Sequence, residues 1–120
     1  MDYAELLQQV QVAGALDRAT AEHVMVATVV TLAERMSRDE LVRLGGQLPA
    51  ELQMAVHAGS PSCQPFDADE FVRRVAERVG VEPPAVWTQV RAVLGTLERE
   101  VAEMEAVRLR LPREFDALMA

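Results

Sequence analysis

The chain has 120 residues, half of them hydrophobic and 26% charged, the size and balance of one globular domain that closes its core without metal or disulfide. A formal charge of −7 opposes general nucleic-acid binding, which needs a basic face to displace the counterions of phosphates. The single cysteine, Cys63, rules out an intrachain disulfide, and no apolar run reaches the roughly 18 residues of a membrane span.

The chain opens with Asp2 as a helix N-cap and Glu5 three residues on, in capping-box fashion. The helix that follows places Tyr3, Leu6, Leu7 and Val10 on one stripe, and Gly14 falls where it should end. No base precedes Arg18, so the start does not resemble a signal peptide, and a cytoplasmic location is expected. Asp17 caps a second helix. Its segment HVMVATVV is rich in β-branched residues and, taken alone, also suits a buried strand. The later segment VWTQVRAVLGTLEREV decides for helix, because Val86, Val90, Val93, Leu94, Leu97 and Val101 recur with helical period. A helix apolar nearly all round, as residues 24–33 are, belongs at the centre of a bundle. Ser37 and Glu40 form another capping box for a short helix carrying Leu41 and Leu44, which Gly45 and Gly46 end.

The phrase Leu48-Pro49-Ala-Glu-Leu comes next and returns as Leu111-Pro112-Arg-Glu-Phe. Each proline disfavours helical geometry in the leucine before it and then fits the first turn of a last short helix, with Glu51 or Glu114 near the positive end. Leu48 and Leu111 are expected to plug the core at the bend. The phrase ends a longer repeat. Asp2, Glu5, Leu6, Leu7 and Val10 match Asp67, Glu70, Phe71, Val72 and Val75 at an offset of 65, as do Ala27, Thr31, Leu32 and Met36 with Ala92, Thr96, Leu97 and Val101. The offset shrinks to 63 at the Leu-Pro phrase. In the second copy Phe71, Val72, Val75 and Val79 form the first stripe, Gly80 ends that helix, and Glu82 with Pro83 begins the next. The predicted plan is all-α: one domain, residues 1–120, made of repeat 1 (1–59), a Gly/Ser/Pro-rich flexible linker (60–65) and repeat 2 (66–120). Each copy has about four helices, and the two pack about a pseudo-twofold axis, since neither buries its apolar face alone.

This ordered set resembles the bacterial family known as "domain of unknown function 2267". The carriers are the opening acid-x-x-Glu-apolar segments DYAELLQQV and DADEFVRRVAERVGV, the long helices ending in TLAERM and TLEREV, and the closing Leu-Pro-x-Glu-apolar, each present twice. The resemblance covers nearly the whole chain. It implies an all-α fold and brings no activity, cofactor or catalytic residue. The chain departs from the pattern at VAEMEAV, which lacks the serine-capped turn of the first copy.

Candidate chemistry is sparse. Cys63 lies six residues from His57, but a reactive thiol needs a lowered pKa and an oriented base, and no signature or orienting asparagine accompanies the pair; Cys63 reads as an incidental linker cysteine, with redox sensing or an intermolecular disulfide as its remaining roles. His23, His57 and Cys63 lack the spacings of a zinc site, so no metal and no cofactor is expected, and His23 belongs at the margin of the central helix. Arg73, Arg74 and Arg78, with Arg108, Arg110 and Arg113, could form an anion patch. Glu70 with Arg74 and Arg73 with Glu77 sit four apart, however, and pair along a helix instead. All twelve bases are arginine and lysine is absent, a bias that could suggest phosphate recognition, but the joint absence of asparagine and isoleucine favours a GC-rich genome as its cause. Trp87, polar Glu22 in the first copy, belongs at the core edge or anchors a partner. Met25, Met36, Met54, Met104 and Met119 are expected to fill the core.

The expected function is a cytoplasmic scaffold or protein-interaction module, not an enzyme, with a protein partner or self-association as a homodimer. The alternatives are a nucleic-acid-associated regulator with a helix-turn-helix-like pair, and a small-ligand carrier with a pocket between the repeats.

Overall fold

Local capping sets four of the helix starts in the computed structural model, which describes residues 2–59 and 61–119. The Asp2 carboxylate accepts the Glu5 N–H at 2.8 Å, Asp17 that of Thr20 at 2.7 Å, and Asp67 that of Glu70 at 2.8 Å. Ser37 and Glu40 bond reciprocally. These caps supply acceptors to first-turn donors that have no partner inside the helix. The resulting helices are α1 (Tyr3–Gly14), α2 (Arg18–Glu34), α3 (Arg38–Gly45), α4 (Ala50–Ala58), α5 (Ala68–Val79), α6 (Pro83–Glu100) and α7 (Glu103–Arg110). A 3-10 turn, Arg113–Phe115, then leads into the one-turn α8 (Asp116–Met119). Among the described residues there is no strand, and no helix is long and apolar enough to cross a membrane.

The long helices α2 and α6 pack on each other at the centre. The HVMVATVV segment is helical, as its later counterpart requires, and Val24, Met25, Thr28, Val29 and Leu32 bury several sides of α2 at once. The opening helices cross over: α1 packs on α6 as well as on α2, and α5 on α2 as well as on α6. Helix α4 covers α2, α8 covers α6, and α3 meets α7. Leu6, Leu52, Phe71, Phe115, Leu94 and Met104 are among the largest fully buried side chains. Phe71 meets Phe115 edge-on with centroids 5.9 Å apart.

Several local expectations need correction. Ala15, not Gly14, takes the left-handed cap of α1, at φ 52°. Gly14 is instead a point of close approach: a Cβ there would lie 3.2 Å from that of Ala92 on α6. Pro49 and Pro112 stand one residue ahead of the first helical turn, as N-caps. Leu48 is buried, whereas Leu111 is only partly so, packed against the core. Met54 is 74% exposed; it faces away from the stripe of Leu52, Ala55 and Val56 that α4 buries. The other four methionines named with it are buried.

The linker is not a loose tether. The N–H groups of Cys63 and Gln64 donate to the carbonyls of Met36 and Glu34 at 3.4 and 2.9 Å, closing acceptors that the C-terminal end of α2 leaves open. The halves also cap one another. Gln47 Oε1 accepts the Glu103 N–H at 2.8 Å, at the start of α7 where the serine cap is missing. Glu114 accepts the Ala68 N–H at 2.6 Å at the start of α5.

Candidate functional site

Two seams run where the opening helix of one half crosses the long helix of the other. In the α2/α5 seam, Glu34 sits at the end of α2 with its side chain 15% exposed. It bonds Arg78 at 2.8 Å and Arg74 at 3.4 Å. Arg78 also donates to Thr31 Oγ1 at 2.6 Å, and the Thr31 hydroxyl donates to the Ala27 carbonyl at 2.7 Å. Along α5, Glu70 accepts from both Arg73 and Arg74, and Arg73 reaches Glu77 at 2.8 Å. The Arg78 hydrogen bond, then the nearby guanidinium charges, hold the Glu34 carboxyl below the usual carboxylate range against the opposing effect of burial. Arg73 and Arg74 pull Glu70 down to about 2. An aromatic floor lies beside these charges. Arg74 stacks on the Phe66 ring at 3.9 Å, and Arg35 lies 5.5 Å from Phe66 and 5.0 Å from Phe115 while donating twice to the Phe66 carbonyl. Burial pushes the Arg35 pKa down.

The α6/α1 seam is built from the matching repeat positions and is nearly uncharged on its α1 side. It forms one groove of about 340 Å³ lined by Ala13, Thr88, Arg91, Ala92, Gly95 and Arg99. An adjoining hollow is lined by Gln8, Gln9, Val12, Ala13 and Arg99. Arg99 donates to Thr96 Oγ1 at 3.3 Å, and no carboxylate lines either hollow.

Of the helix-surface pairs expected from spacing, Glu70–Arg74 and Arg73–Glu77 form. Glu34 is the missed member of that cluster. It lies in another helix, and no spacing rule reaches it. The later arginines are drawn apart: Arg108 pairs with Glu98 and Asp116, and Arg110 with the largely buried Glu40. His23 is exposed on α2 and lines a shallow groove with Glu22, Val26, Val30 and Val79. Glu22 accepts from the Tyr3 hydroxyl at 2.5 Å, and burial together with that carboxylate raises the tyrosine's pKa. Trp87 is partly buried against the core edge. Cys63 is exposed, with a left-handed φ of 49°. His57 lines a groove between α3 and α4 with Arg38, Leu41, Val42, Val56, Gly59 and Pro61; Cys63 is not among its walls. Among the described residues, no group of three or more histidine, cysteine, aspartate or glutamate side chains is placed to hold a metal ion.

No curated protein matches the chain. The family described as "Uncharacterized conserved protein (DUF2267)" matches residues 3–118, a span that takes in α1 to α7 whole and all but the last residue of α8. With both opening helices, both long helices and the two Leu-Pro phrases inside that match, the chain belongs to the DUF2267 family.

Proposed function

We propose that the protein is a small cytoplasmic scaffold that acts by contact and without catalysis, and that its partner is a second copy of itself. The observation that carries this reading is the face around α3. Val42 on α3, Met54 on α4 and Leu109 on α7 are 69%, 74% and 79% exposed, and α3 packs on both α4 and α7. Large apolar side chains left exposed on adjoining helices support an association surface more than a solvated one. The α3/α4 groove adds Leu41, Val56 and Pro61 as apolar walls with Arg38 and His57 as its polar members. A chain with 19 acids offers counter-charges to Arg38 from a second copy, and screening over roughly 8 Å keeps net repulsion from opposing a close contact.

Two further supports concern the plan of the chain. The crossed packing of α1 on α6 and α5 on α2 is reciprocal, as a pseudo-twofold between residues 1–59 and 66–120 requires. The mutual capping by Gln47 and Glu114 makes each half incomplete alone. The test is light scattering coupled to gel filtration across a dilution series, with and without reductant. A dimer insensitive to reductant and lost in Val42→Asp or Met54→Asp, with the melting temperature kept, is expected. A monomer at every concentration would overturn the reading, and a dimer lost on reduction would move the contact to Cys63.

A further inference from the structure

We propose that the α6/α1 seam is a binding site for a compact multivalent oxyanion of the diphosphate type, held between Arg91 and Arg99 over Gly95. This site is separate from the α3 face and does not depend on it.

Three observations converge on the groove. Arg91, Gly95 and Arg99 are spaced by four, which sets them on one face of α6 with the two arginines roughly 12 Å apart along the axis. Both side chains line the same groove, with Gly95 between them and Thr88 adding a hydroxyl donor. Two long guanidinium arms at that spacing can close on one small ligand from either end, and guanidinium groups hold phosphate oxygens through paired N–H donors.

Among the described residues neither arginine has an ion pair, whereas Arg73, Arg74 and Arg78 at the other seam are engaged by Glu34, Glu70 and Glu77. The facing side chains from α1 are Gln8, Gln9, Val12 and Ala13. The positions are the same ones of the repeat that supply Arg73, Arg74, Glu77 and Arg78 on α5. The seam therefore keeps positive charge and has no carboxylate in its walls to neutralise it, in a chain that is acidic as a whole.

Gly95 is the third observation. A glycine inside a helix weakens it, so a steric or functional reason is expected. Packing gives no steric reason: a Cβ built at Gly95 would meet only the Arg99 guanidinium, at 3.6 Å, an ordinary contact. The repeat has Val30 at the matching position. What the missing side chain provides is room over the helix backbone, where Arg99 lies against the groove and a ligand can come close.

The experiment is a calorimetric titration of the full chain with inorganic pyrophosphate at low salt, with inorganic phosphate as comparison and amide NMR shifts to locate the contact. Saturable one-to-one binding is expected, with shifts on α6 around Gly95 and on α1 around Ala13. Arg91→Gln and Arg99→Gln should each weaken it about tenfold, the loss of one charged hydrogen-bonding partner. Gly95→Val should abolish it with the fold retained by circular dichroism, and Arg38→Gln should leave it unchanged. Phosphate should bind more weakly by a similar factor. Absence of saturation, equal affinity for phosphate and pyrophosphate, or binding that survives the double replacement of Arg91 and Arg99 would each overturn the assignment.

Discussion

The α2/α5 and α6/α1 seams are lined by residues 65 apart in the sequence and treat charge in opposite ways. Glu34 matches Arg99, and Arg73, Arg74, Glu77 and Arg78 match Gln8, Gln9, Val12 and Ala13. On one side the carboxylate is central, its arginines close around it, and an aromatic floor of Phe66, Phe71 and Phe115 carries two stacked guanidinium groups. On the other, an arginine is central, with nothing charged to answer it from α1. The first seam is closed by its own side chains. The second is left open on its α1 side.

The largest contrast concerns the aromatic floor. Phe71 and Phe115 stand where the first half has Leu6 and Leu52, and all four are fully buried. Phe71→Ala should cost about 4 kcal/mol, by lost transfer energy and an unfilled cavity. Phe71→Leu, which gives α5 the residue of α1, should cost only about 1.5 kcal/mol, part of it the edge-on contact with Phe115. Urea unfolding measures both. Equal losses would mean that the aromatic shape contributes nothing of its own.

Glu34 is next. Glu34→Ala leaves Arg74 and Arg78 without their shared carboxylate in a partly buried seam, and should cost about 2 kcal/mol. Arg99→Ala, its counterpart, breaks no ion pair and should change stability by less than about 0.5 kcal/mol. The same contrast appears with pH. Glu34 and Glu70 have folded pKa values below their ordinary ones, Glu70 at about 2. The folded state thus binds fewer protons than the unfolded chain in acid. Their contribution is complete above the usual carboxylate value of 4.5 and fades as the pH falls towards about 2. Urea midpoints should drop through that window in the wild-type chain and drop less in a Glu34→Gln, Glu70→Gln variant. Parallel pH profiles would remove the network from the stability of this seam.

How far the sequence could lead follows from the range of each interaction. Asp2, Asp17, Ser37 and Asp67 cap helices within three residues, so those starts are legible from the sequence alone. The Glu70–Arg74 pair, four residues apart, is also within reach. The Gln47 cap on α7, the Glu114 cap on α5 and the Glu34 bridge join residues 40 or more positions apart, and the α7 cap replaces the serine turn that the second copy lacks. The exposure of Met54 is also within reach of the sequence: it sits off the spacing of Leu52, Ala55 and Val56, a pattern that hydrophobicity alone conceals. The open seam could not be read directly, because its signal is a set of missing partners. Aligning Glu34 with Arg99 would have hinted at it.

A smaller effect lies in the central helices. Thr28 is fully buried and its hydroxyl has no hydrogen-bond partner among the described residues, while Val93 stands 65 positions later on α6. Thr28→Val keeps the shape and removes the unpaired polar atom, so it should stabilise by about 1 kcal/mol. Val93→Thr should destabilise by a similar amount, and a double-mutant cycle reads any coupling between them. If Thr28→Val lowers the unfolding midpoint, the hydroxyl has a role that burial of a methyl cannot replace.

The smallest contrast lies between two glycines on the same seam. At Gly14 a Cβ would sit 3.0 Å from the Leu16 Cδ1 and 3.2 Å from the Ala92 Cβ. Leu16 can swing, but Ala92 is fixed to α6, so Gly14→Ala must push α1 off its neighbour and should lower the melting temperature. At Gly95 the added methyl meets only the movable Arg99 guanidinium, and the helix gains the propensity difference, roughly 0.5 to 1 kcal/mol. Gly95→Ala should therefore melt higher than wild type, by a few degrees for a chain of this length. A stabilised Gly95→Ala variant would show that folding does not require this glycine, which leaves the groove it opens as its purpose. A destabilised one would place Gly95 with Gly14, as a packing contact, and would take away the groove's third support while leaving Arg91 and Arg99 to be tested by pyrophosphate.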